Sequence, residues 1–353
     1  RRVLFRSSMP KALTFAKQLV DWQRLQGRHD LPWQRSRDPY CVWLSEIMLQ
    51  QTQVVTVLGY YETFLKAFPT VRDLAMADVD DVLALWSGLG YYRRARHLHE
   101  CARQVVTQLD GEFPNNAAKL QTLKGIGPST AAAVASLCFN ERVAIFDGNV
   151  KRVLSRYLAF EEDLALATHA KALQAHAQAL LPTQPNDMPT YTQAIMDLGA
   201  TVCTPSKPNC PSCPVKTDCG AHTKGRQADY PKQSKRVKRS SETWWALCAT
   251  TPQGDVWLQQ RPPTGVWAGL YTQPMFESEA QLLSALPMEW HGWLRHLPTR
   301  LHVLTHKDLH LHACAIECPT TLSLGSGAWY SPAQWKTLGM PTPARKWLDG
   351  TWG

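Results

Sequence analysis

Residues 123–131 read LKGIGPSTA, and this stretch decides the fold of the larger part of the chain. Two glycines, Gly125 and Gly127, flank a single isoleucine and allow a tight backbone hairpin. The amide groups of such a hairpin, together with the helix that follows it, can hold a phosphate. The stretch predicts two helices joined by a hairpin, with Gly125 and Gly127 as phosphate contacts. A plain glycine-rich connection between two helices would have the same local pattern.

Helical periodicity extends to both sides of this stretch, from about residue 15 to residue 221. Its clearest segments are 42–58, 93–109, 117–123, 129–138 and 150–158. After residue 242 the pattern changes to short runs such as TWWALCAT and HLHACAIEC, which are typical of strands. We predict a mainly α domain over residues 9–223 and a smaller α+β domain over residues 242–353.

Two segments fall outside these domains. Residues 224–241 read KGRQADYPKQSKRVKRSS and are polar and basic, which indicates an exposed linker. Such a linker is either merely solvated or contributes to nucleic-acid binding. Residues 1–8 precede Met9, and we interpret them as an extraneous N-terminal segment.

The charge balance favours a polyanionic partner without establishing one. The 353 residues include 38 lysines and arginines against 29 aspartates and glutamates, a formal net charge of +9. The longest nearly apolar run, residues 130–139, is too short to span a bilayer, and no secretory segment opens the chain. We therefore expect a cytoplasmic protein that makes no contact with a membrane.

Four of the ten cysteines are crowded into one proline-rich loop. Cys203, Cys210, Cys213 and Cys219 follow the spacing C-x6-C-x2-C-x5-C. Proline stiffens a loop and prevents it from forming helix, so the four thiolates can be held around one centre. Four thiolates suit either a structural zinc ion or a [4Fe–4S] cluster, and paired disulfides are a third alternative.

The cysteine spacing resembles the [4Fe–4S] loop of the endonuclease III superfamily of helix-hairpin-helix DNA glycosylases, and residues 123–131 resemble the hairpin of that superfamily. The resemblance implies one [4Fe–4S] cluster with a structural role. It also implies that Asp147, in FDGNVKRV, is the essential aspartate of the superfamily. Bifunctional members carry a lysine two residues after the second hairpin glycine. Ser129 stands there, which implies a monofunctional glycosylase.

Residues 43–53, WLSEIMLQQTQ, resemble the MutY family of adenine glycosylases within this superfamily. The resemblance implies that Glu46 is the general acid that protonates adenine. Asp147 is then the anion that stabilises positive charge on the sugar as the glycosidic bond breaks. Without that context, Glu46 would be taken as a solvated helix residue and Asp147 as a helix N-cap.

The same resemblance assigns residues that bind the extruded base and fill the gap it leaves. Gln51 and Tyr91 would insert into the base stack, Gln193 would hydrogen-bond adenine, and Trp33 would wall the pocket. From sequence alone, Tyr91 could equally be a core aromatic. The candidate substrate-binding residues of the first domain are Trp33, Gln51, Tyr91, Ser129, Asn149 and Gln193.

Residues 257–262 (WLQQRP) and 265–270 (GVWAGL) resemble the Nudix-like domain of MutY proteins, which recognises 8-oxoguanine. Thr305 and His306 stand at the family's Ser-His pair that contacts the oxidised guanine. The run of metal-binding glutamates of a Nudix hydrolase is absent from the sequence, so we expect this domain to bind rather than hydrolyse.

Together these features predict a helix-hairpin-helix glycosylase core with a [4Fe–4S] loop and a smaller α+β Nudix-like domain. The implied activity is monofunctional excision of adenine mispaired with 8-oxoguanine or guanine in double-stranded DNA. We expect a monomer, associated with the nucleoid if the source is bacterial. The alternative is a bifunctional endonuclease III-like glycosylase and AP lyase that acts on oxidised pyrimidines.

Overall fold

The computed structural model describes residues 11–234, 239–318 and 323–352. Its contacts divide the chain into two compact units. Unit 1 comprises the described residues within Arg1–Leu65, Thr70–Arg72 and Cys101–Arg236, and unit 2 those within Lys66–Pro69, Asp73–Glu100 and Val237–Gly353. Residues 1–8, interpreted above as extraneous, lie outside the described residues. Within the described ranges, no helix is both long enough and apolar enough to cross a membrane.

Most of the regular structure before residue 224 is helical. In chain order the helices of the described residues are α1 (Lys11–Gln26), α2 (Pro39–Leu49), α3 (Val54–Ala67), α4 (Val71–Met76), α5 (Val79–Leu85), α6 (Arg93–Leu109), α7 (Ala117–Leu120), α8 (Pro128–Phe139), α9 (Gly148–Tyr157), α10 (Ala167–Ala179), α11 (Met188–Asp197), α12 (Gly220–Thr223), α13 (Glu279–Ser284), α14 (Pro332–Trp335) and α15 (Thr342–Leu348). The helices predicted over 93–109, 129–138 and 150–158 are confirmed to within two residues.

The helix predicted over residues 42–58 is wrong as one element. It is broken after α2 because Gln51 takes a left-handed backbone conformation (φ 58°), which an α-helix cannot contain. Gln50 turns its side-chain amide to the Thr130 hydroxyl at 3.2 Å. The helix predicted over 117–123 ends early, at Leu120, where tighter turns lead into the hairpin.

Helix α8 forms the centre of unit 1. Its residues 131–135 are small or β-branched and fully buried, so neighbouring helices approach closely. It packs against α2, α7 and α11, and the α9 residues Val153 and Leu154 belong to the same core. This packing fixes the orientation of α2, α9 and α11, the helices that carry the candidate catalytic and base-binding residues.

Unit 2 is built on a mixed sheet, as the strand-like runs predict. Its strands are β1 (Ser240–Thr250), β2 (Val256–Gln260), β3 (Tyr271–Thr272), β4 (Met275–Phe276), β5 (Arg295–His296), β6 (Arg300–Val303), β7 (Lys307–Glu317) and β8 (Ala328–Tyr330). The main path of the sheet is β3-β2-β1-β7-β5. The central pair, β1 and β7, is parallel from Ser240 opposite Lys307 to Thr250 opposite Glu317, whereas the other pairs are antiparallel.

Unit 2 also contains the segment 73–100, which the sequence analysis assigned to the first domain. Ser87 Oγ and Tyr92 Oη donate hydrogen bonds to the Met340 carbonyl at 2.7 and 3.1 Å. The Arg96 guanidinium donates to the Ala268 carbonyl at 3.2 Å. These long-range contacts have no local sequence pattern, which is why the compact units differ from the predicted boundaries.

Part of the predicted linker is not exposed. Tyr230 is only 2% exposed, its hydroxyl is hydrogen-bonded to Glu161, and Lys232 pairs with the same carboxylate at 2.5 Å. Arg156 donates to the Gln227 carbonyl at 2.9 Å. The prediction of an exposed segment is therefore wrong at Gln227 and at residues 230–232, which are buried or half-buried in unit 1, whereas residues 228–229 are exposed. Residues 235–238 lie outside the described residues.

Candidate active site

A single cleft of 1320 Å³ in unit 1 collects the candidate residues of the first domain. It lies between α2, the loop 50–53, and the N-terminal ends of α8 and α9, with α11 on its far wall. The sequence-predicted residues that line it are Trp33, Glu46, Gln51, Ser129, Asp147, Asn149 and Gln193. A cleft of this size accommodates a nucleotide extruded from a duplex.

Glu46 occupies a wall of this cleft that is formed by apolar residues of α2. Its helical neighbours Ser45 and Ile47 are buried, and the carboxyl group faces the cleft. Burial, and secondarily the negative charge of Asp147, raises the pKa of Glu46 to about 7. The carboxyl therefore keeps a proton near neutral pH, which a general acid requires.

Asp147 is the N-cap of α9, with Oδ1 accepting a hydrogen bond from the Val150 amide at 2.7 Å. Burial raises the pKa of Asp147, while the amides of Val150 and Asn149 and the Arg152 charge oppose that rise. Backbone donors thus favour the ionised carboxylate at a buried position. Capping and the role of an anion are compatible in one side chain.

Asn149 is held in place by Arg152, which the sequence analysis did not single out. Arg152 Nη2 donates to Asn149 Oδ1 at 2.7 Å and to the Gly199 carbonyl at 2.8 Å. A Cβ on Gly199 would come within 2.7 Å of the Asn149 Cβ, so a glycine is needed there. Arg152 could have been suspected only from its position one helical turn after Asn149.

The hairpin has the geometry that its glycines predict. Gly125 has a φ of 75°, a conformation that favours glycine, and Gly127 is the N-cap of α8. Ile126 between them is buried and anchors the turn. The two glycines do not line the cleft. Ser129 does, and its hydroxyl accepts a hydrogen bond from the Phe146 amide at 3.4 Å.

Trp33 and Gln51 differ in exposure as their proposed tasks differ. Trp33 is buried and packs edge-on against Tyr61, with ring centroids 5.4 Å apart, so it is a rigid wall. Gln51 is exposed in the left-handed conformation described above. Strained, exposed positions of this kind concentrate at sites that contact ligands.

The four clustered cysteines line one small cavity in unit 1 together with Arg156 and Gln227. Arg156 Nη1 lies 3.4 Å from Cys203 Sγ, and Gln227 Nε2 lies 3.6 Å from Cys210 Sγ, so both donate to sulfur. None of the ten cysteines, all in the described residues, forms a disulfide.

The four thiols are possible ligands of a zinc ion or of a [4Fe–4S] cluster. No three His, Cys, Asp or Glu side chains of the described residues are grouped to hold one metal ion. A zinc ion with Zn–S bonds of about 2.3 Å draws four sulfurs into close contact, whereas a cluster holds them farther apart. Four sulfur donors around one cavity are a ligand set that suits either group.

In unit 2, Tyr91, which was expected to insert into the base stack, contacts Thr305, which was expected to contact the oxidised guanine. The hydroxyls of Tyr91 and Thr305 are hydrogen-bonded to each other, and Tyr91 has a left-handed φ of 50°. Thr305 and His306 are exposed in the turn between β6 and β7. Tyr91 is itself 43% exposed, so it is not a core aromatic.

Comparison with known proteins identifies the family. Residues 44–183 match the family model described as "HhH-GPD superfamily base excision DNA repair protein", and residues 245–350 match a NUDIX domain. The chain is 33% identical over 350 residues to the adenine DNA glycosylase of Buchnera aphidicola subsp. Baizongia pistaciae (strain Bp), with 95% of each chain covered. The chain belongs to the adenine DNA glycosylase (MutY) family.

Eukaryotic members of the adenine DNA glycosylase family are about as similar to this chain as the bacterial relative is. The chain is 34% identical over 413 residues to the adenine DNA glycosylase of Homo sapiens, covering 97% of this chain and 74% of that relative. Membership makes the chain an enzyme, a DNA glycosylase of base excision repair. This confirms the predicted reaction class and favours it over a bifunctional lyase on oxidised pyrimidines.

Solved structures place the helical part in the same fold as other glycosylases. A thermostable thymine-DNA glycosylase is 29% identical, with a TM-score of 0.55, and the match covers 61% of this chain and 97% of that chain. Endonuclease III in a non-covalent complex with DNA is 20% identical, with a TM-score of 0.50 over 62% of this chain and 99% of that chain. The predicted fold class, a helix-hairpin-helix core with a Nudix-like second domain, is confirmed for this member of the adenine DNA glycosylase family.

Several polar residues that line the cleft escaped the sequence analysis of this adenine DNA glycosylase family member. They are Gln23, Arg28, Gln34, Gln50 and Arg152. Each belongs to a residue type that is usually solvated, and its position depends on contacts far along the chain. Apart from the position of Arg152 one helical turn after Asn149, the sequence pattern around them held no signal that could have identified them.

Proposed function

We propose that the chain excises adenine mispaired with 8-oxoguanine or guanine in double-stranded DNA, with Glu46 as general acid and Asp147 as the stabilising anion. The single observation that supports this most directly is the pair itself. Both carboxyl groups line one cleft, and burial together with the Asp147 charge raises the pKa of Glu46 to about 7. One carboxyl is thereby suited to give a proton and the other to stay charged.

The two residues divide the reaction between them. Glu46 gives its proton to a ring nitrogen of adenine, and the bond from C1′ to the base breaks with its electron pair leaving on the base. Positive charge then develops on the sugar, where the Asp147 carboxylate stabilises it. A water molecule adds to C1′ and releases a proton, which completes hydrolysis.

We propose a monofunctional reaction that leaves the DNA backbone uncut. Strand cleavage by a lyase needs an amine that attacks the sugar, and Ser129 occupies the position of that lysine. No lysine among the described residues lines the cleft, which supports the proposal independently of the resemblance.

We propose that Cys203, Cys210, Cys213 and Cys219 hold one [4Fe–4S] cluster. Such a cluster supplies a rigid covalent tie within the fold, and no step of the base excision passes through it. Arg156 and Gln227 would donate hydrogen bonds to its sulfur ligands. Gly125 and Gly127 would hold a DNA phosphate with the amides of the hairpin.

Recognition of the opposite base is proposed for unit 2 residues. Thr305, His306 and Tyr91 offer two hydroxyls and an imidazole at an exposed turn. In this proposal residues 9–223 form the catalytic domain, residues 242–353 the 8-oxoguanine recognition domain, and residues 224–241 connect them. The chain would act as a monomer in the cytoplasm, on the nucleoid if bacterial, and the free thiols suit a reducing compartment.

The test uses a labelled duplex with a single adenine opposite 8-oxoguanine, followed in one turnover. We expect base release without nicking until alkali is added, and loss of release in Glu46→Gln with DNA binding kept. Glu62→Gln, an exposed glutamate of α3, is the matched control and should excise normally. Nicking without alkali at the rate of base loss would contradict the monofunctional reaction, and full activity of Glu46→Gln would contradict the acid.

A further inference from the structure

The turn that precedes α6 in unit 2 holds two consecutive residues in the left-handed backbone region. Gly90 has a φ of 77° and Tyr91 a φ of 50°. Glycine takes this conformation freely, whereas a tyrosine there is strained and persists only where other contacts offset the strain. The Tyr91 side chain is nevertheless exposed, and its hydroxyl is hydrogen-bonded to Thr305. We therefore looked for the contacts that hold the backbone and the ring of Tyr91.

Two side chains fix the backbone of this turn through one carbonyl group. The Gly90 carbonyl, in the peptide group that precedes Tyr91, accepts from Trp86 Nε1 at 3.1 Å and from Arg94 Nη2 at 3.2 Å. Trp86 is fully buried, so its ring is a fixed donor. The Arg94 amide donates to the Tyr91 carbonyl at 2.8 Å. The carbonyl groups on both sides of the Tyr91 Cα are thus hydrogen-bonded, and Arg94 contributes to both.

The Arg94 guanidinium also contacts the Tyr91 ring. Its Cζ lies 5.3 Å from the Tyr91 ring centroid and 5.4 Å from the Trp86 ring centroid, so the cation contacts one exposed and one buried aromatic ring. Burial lowers the pKa of Arg94 to about 10, and Tyr91 opposes that shift, so the group is charged at neutral pH. Because the guanidinium is partly desolvated, its attraction to the rings is stronger than at an exposed site.

The place of Arg94 in α6 indicates that these contacts, rather than the helix, favour an arginine. The helix begins at Arg93, so Arg94 lies in its first turn, which contains no acidic residue. The positive end of the helix dipole disfavours a cation at this position. Contacts of the guanidinium with the turn before the helix offset that cost.

We infer that Arg94 is a positioning residue that holds Tyr91 against Thr305 and thereby supports discrimination between 8-oxoguanine and guanine opposite the target adenine. Arg94 acts on the backbone and the ring of Tyr91, so this role requires no contact between Arg94 and DNA. The inference rests on the proposed function, in which Tyr91 and Thr305 offer their hydroxyls to the opposite base.

The test compares single-turnover release of adenine opposite 8-oxoguanine and opposite guanine in the same duplex. Arg94→Met keeps an apolar stem beside the two rings but removes the cation and the donor to the Gly90 carbonyl. We expect the preference for 8-oxoguanine to fall roughly three- to tenfold, through slower excision opposite 8-oxoguanine. The matched control is Arg103→Met, which changes an exposed arginine of the same helix and should keep the wild-type preference.

A double variant separates positioning of Tyr91 from a general effect on folding. In Tyr91→Leu the ring that Arg94 holds is gone, so adding Arg94→Met should lower the preference for 8-oxoguanine no further. A purely structural role would instead slow excision equally opposite both bases, or lower the preference further in the Tyr91→Leu background. Either result would overturn the inference.

A second variant keeps the inference testable if Arg94→Met fails to fold in a thermal unfolding control. Arg94→Lys keeps the charge but has no planar group to lie against two rings, so its preference for 8-oxoguanine should fall at least about threefold. The wild-type preference in a folded Arg94→Lys would overturn the inference while adenine release by the wild-type chain still stands. Absence of adenine release from the wild-type chain would overturn the proposed function, and the inference with it.

Discussion

The Glu46 and Asp147 carboxyl groups face one cleft from two helices, and the negative charge of Asp147 adds to burial in raising the pKa of Glu46 to about 7. The surroundings of Asp147 differ from those of Glu46, because the Val150 and Asn149 amides donate hydrogen bonds to Asp147 and oppose the rise of its pKa. The two carboxyls thus differ in their surroundings although they share a cleft. In the proposed reaction Glu46 would hold the proton, and Asp147, with its backbone donors, would carry the negative charge.

The rate of base release should follow a bell-shaped pH profile. Above pH about 7 Glu46 loses its proton, so the single-turnover rate should fall about tenfold per pH unit. At acidic pH the rate should fall again as Asp147 is protonated. Excision measured from pH 4.5 to pH 9 on the adenine–8-oxoguanine duplex tests this. A flat profile between pH 6 and pH 9 would exclude Glu46 as the acid.

The ionised Glu46 carboxylate should also lower the free energy of unfolding at neutral and alkaline pH. Its pKa is raised on folding from 4.5 to about 7, so between these values the unfolded chain holds fewer protons and the free energy of unfolding falls with rising pH. We expect the free energy of unfolding of Glu46→Gln to exceed that of the wild-type chain by about 3 kcal/mol above pH 7, with little difference at pH 4.5. Denaturant unfolding at the two pH values measures this. Glu62→Gln should show no such pH dependence, and an equal effect in both variants would contradict the assignment.

Features set by local patterns were predictable from the sequence. The helix over residues 93–109 and the strand that contains residues 243–250 follow from periodicity, because side-chain spacing reports which face is buried. The hairpin was predictable because only glycine takes the backbone angle of Gly125 freely. The four cysteines came together as their spacing indicated.

Features that depend on distant contacts were not predictable. Asp197 reads as an ordinary helix-terminal aspartate, and its burial under Arg28 and Gln23 requires the packing of α1 on α11. The break after α2 was not predicted because the apolar periodicity continues past Gln51, whereas the helical backbone conformation does not. Such exceptions to local rules lie at the cleft, where function rather than regular structure sets the conformation.

The hydroxyl pair of Tyr91 and Thr305 leads to a prediction about the opposite base. In the proposed recognition the Thr305 hydroxyl is a hydrogen-bond partner of the oxidised guanine. Thr305→Ala should therefore lower the preference for adenine opposite 8-oxoguanine over adenine opposite guanine by roughly three- to tenfold. Excision opposite guanine should change little. Thr299→Ala is the control, since Thr299 binds His312 at 3.1 Å in the same unit. Equal losses opposite both bases would argue against a role in recognition.

Arg156 should decide whether the cysteine loop keeps the proposed [4Fe–4S] cluster. The residue is only 3% exposed and has no carboxylate partner among the described residues; its donors reach sulfur and the backbone carbonyls of the loop and of the segment after α12. Arg156→Met keeps an unbranched apolar stem but leaves those carbonyls without donors, which should cost about 3 kcal/mol of unfolding free energy and lower the iron content per chain.

Arg142→Met separates general destabilisation from loss of the cluster. Arg142 also donates to backbone carbonyls of unit 1, those of Pro182 at 2.9 Å and Leu181 at 3.4 Å, but it does not line the cavity of the cysteines. This variant should lose stability and keep its iron and its visible absorbance. Iron retained in Arg156→Met and lost in Arg142→Met would contradict this prediction. The hydrogen bonds of Arg156 would then not hold the loop, and stability alone would control whether the cluster is kept.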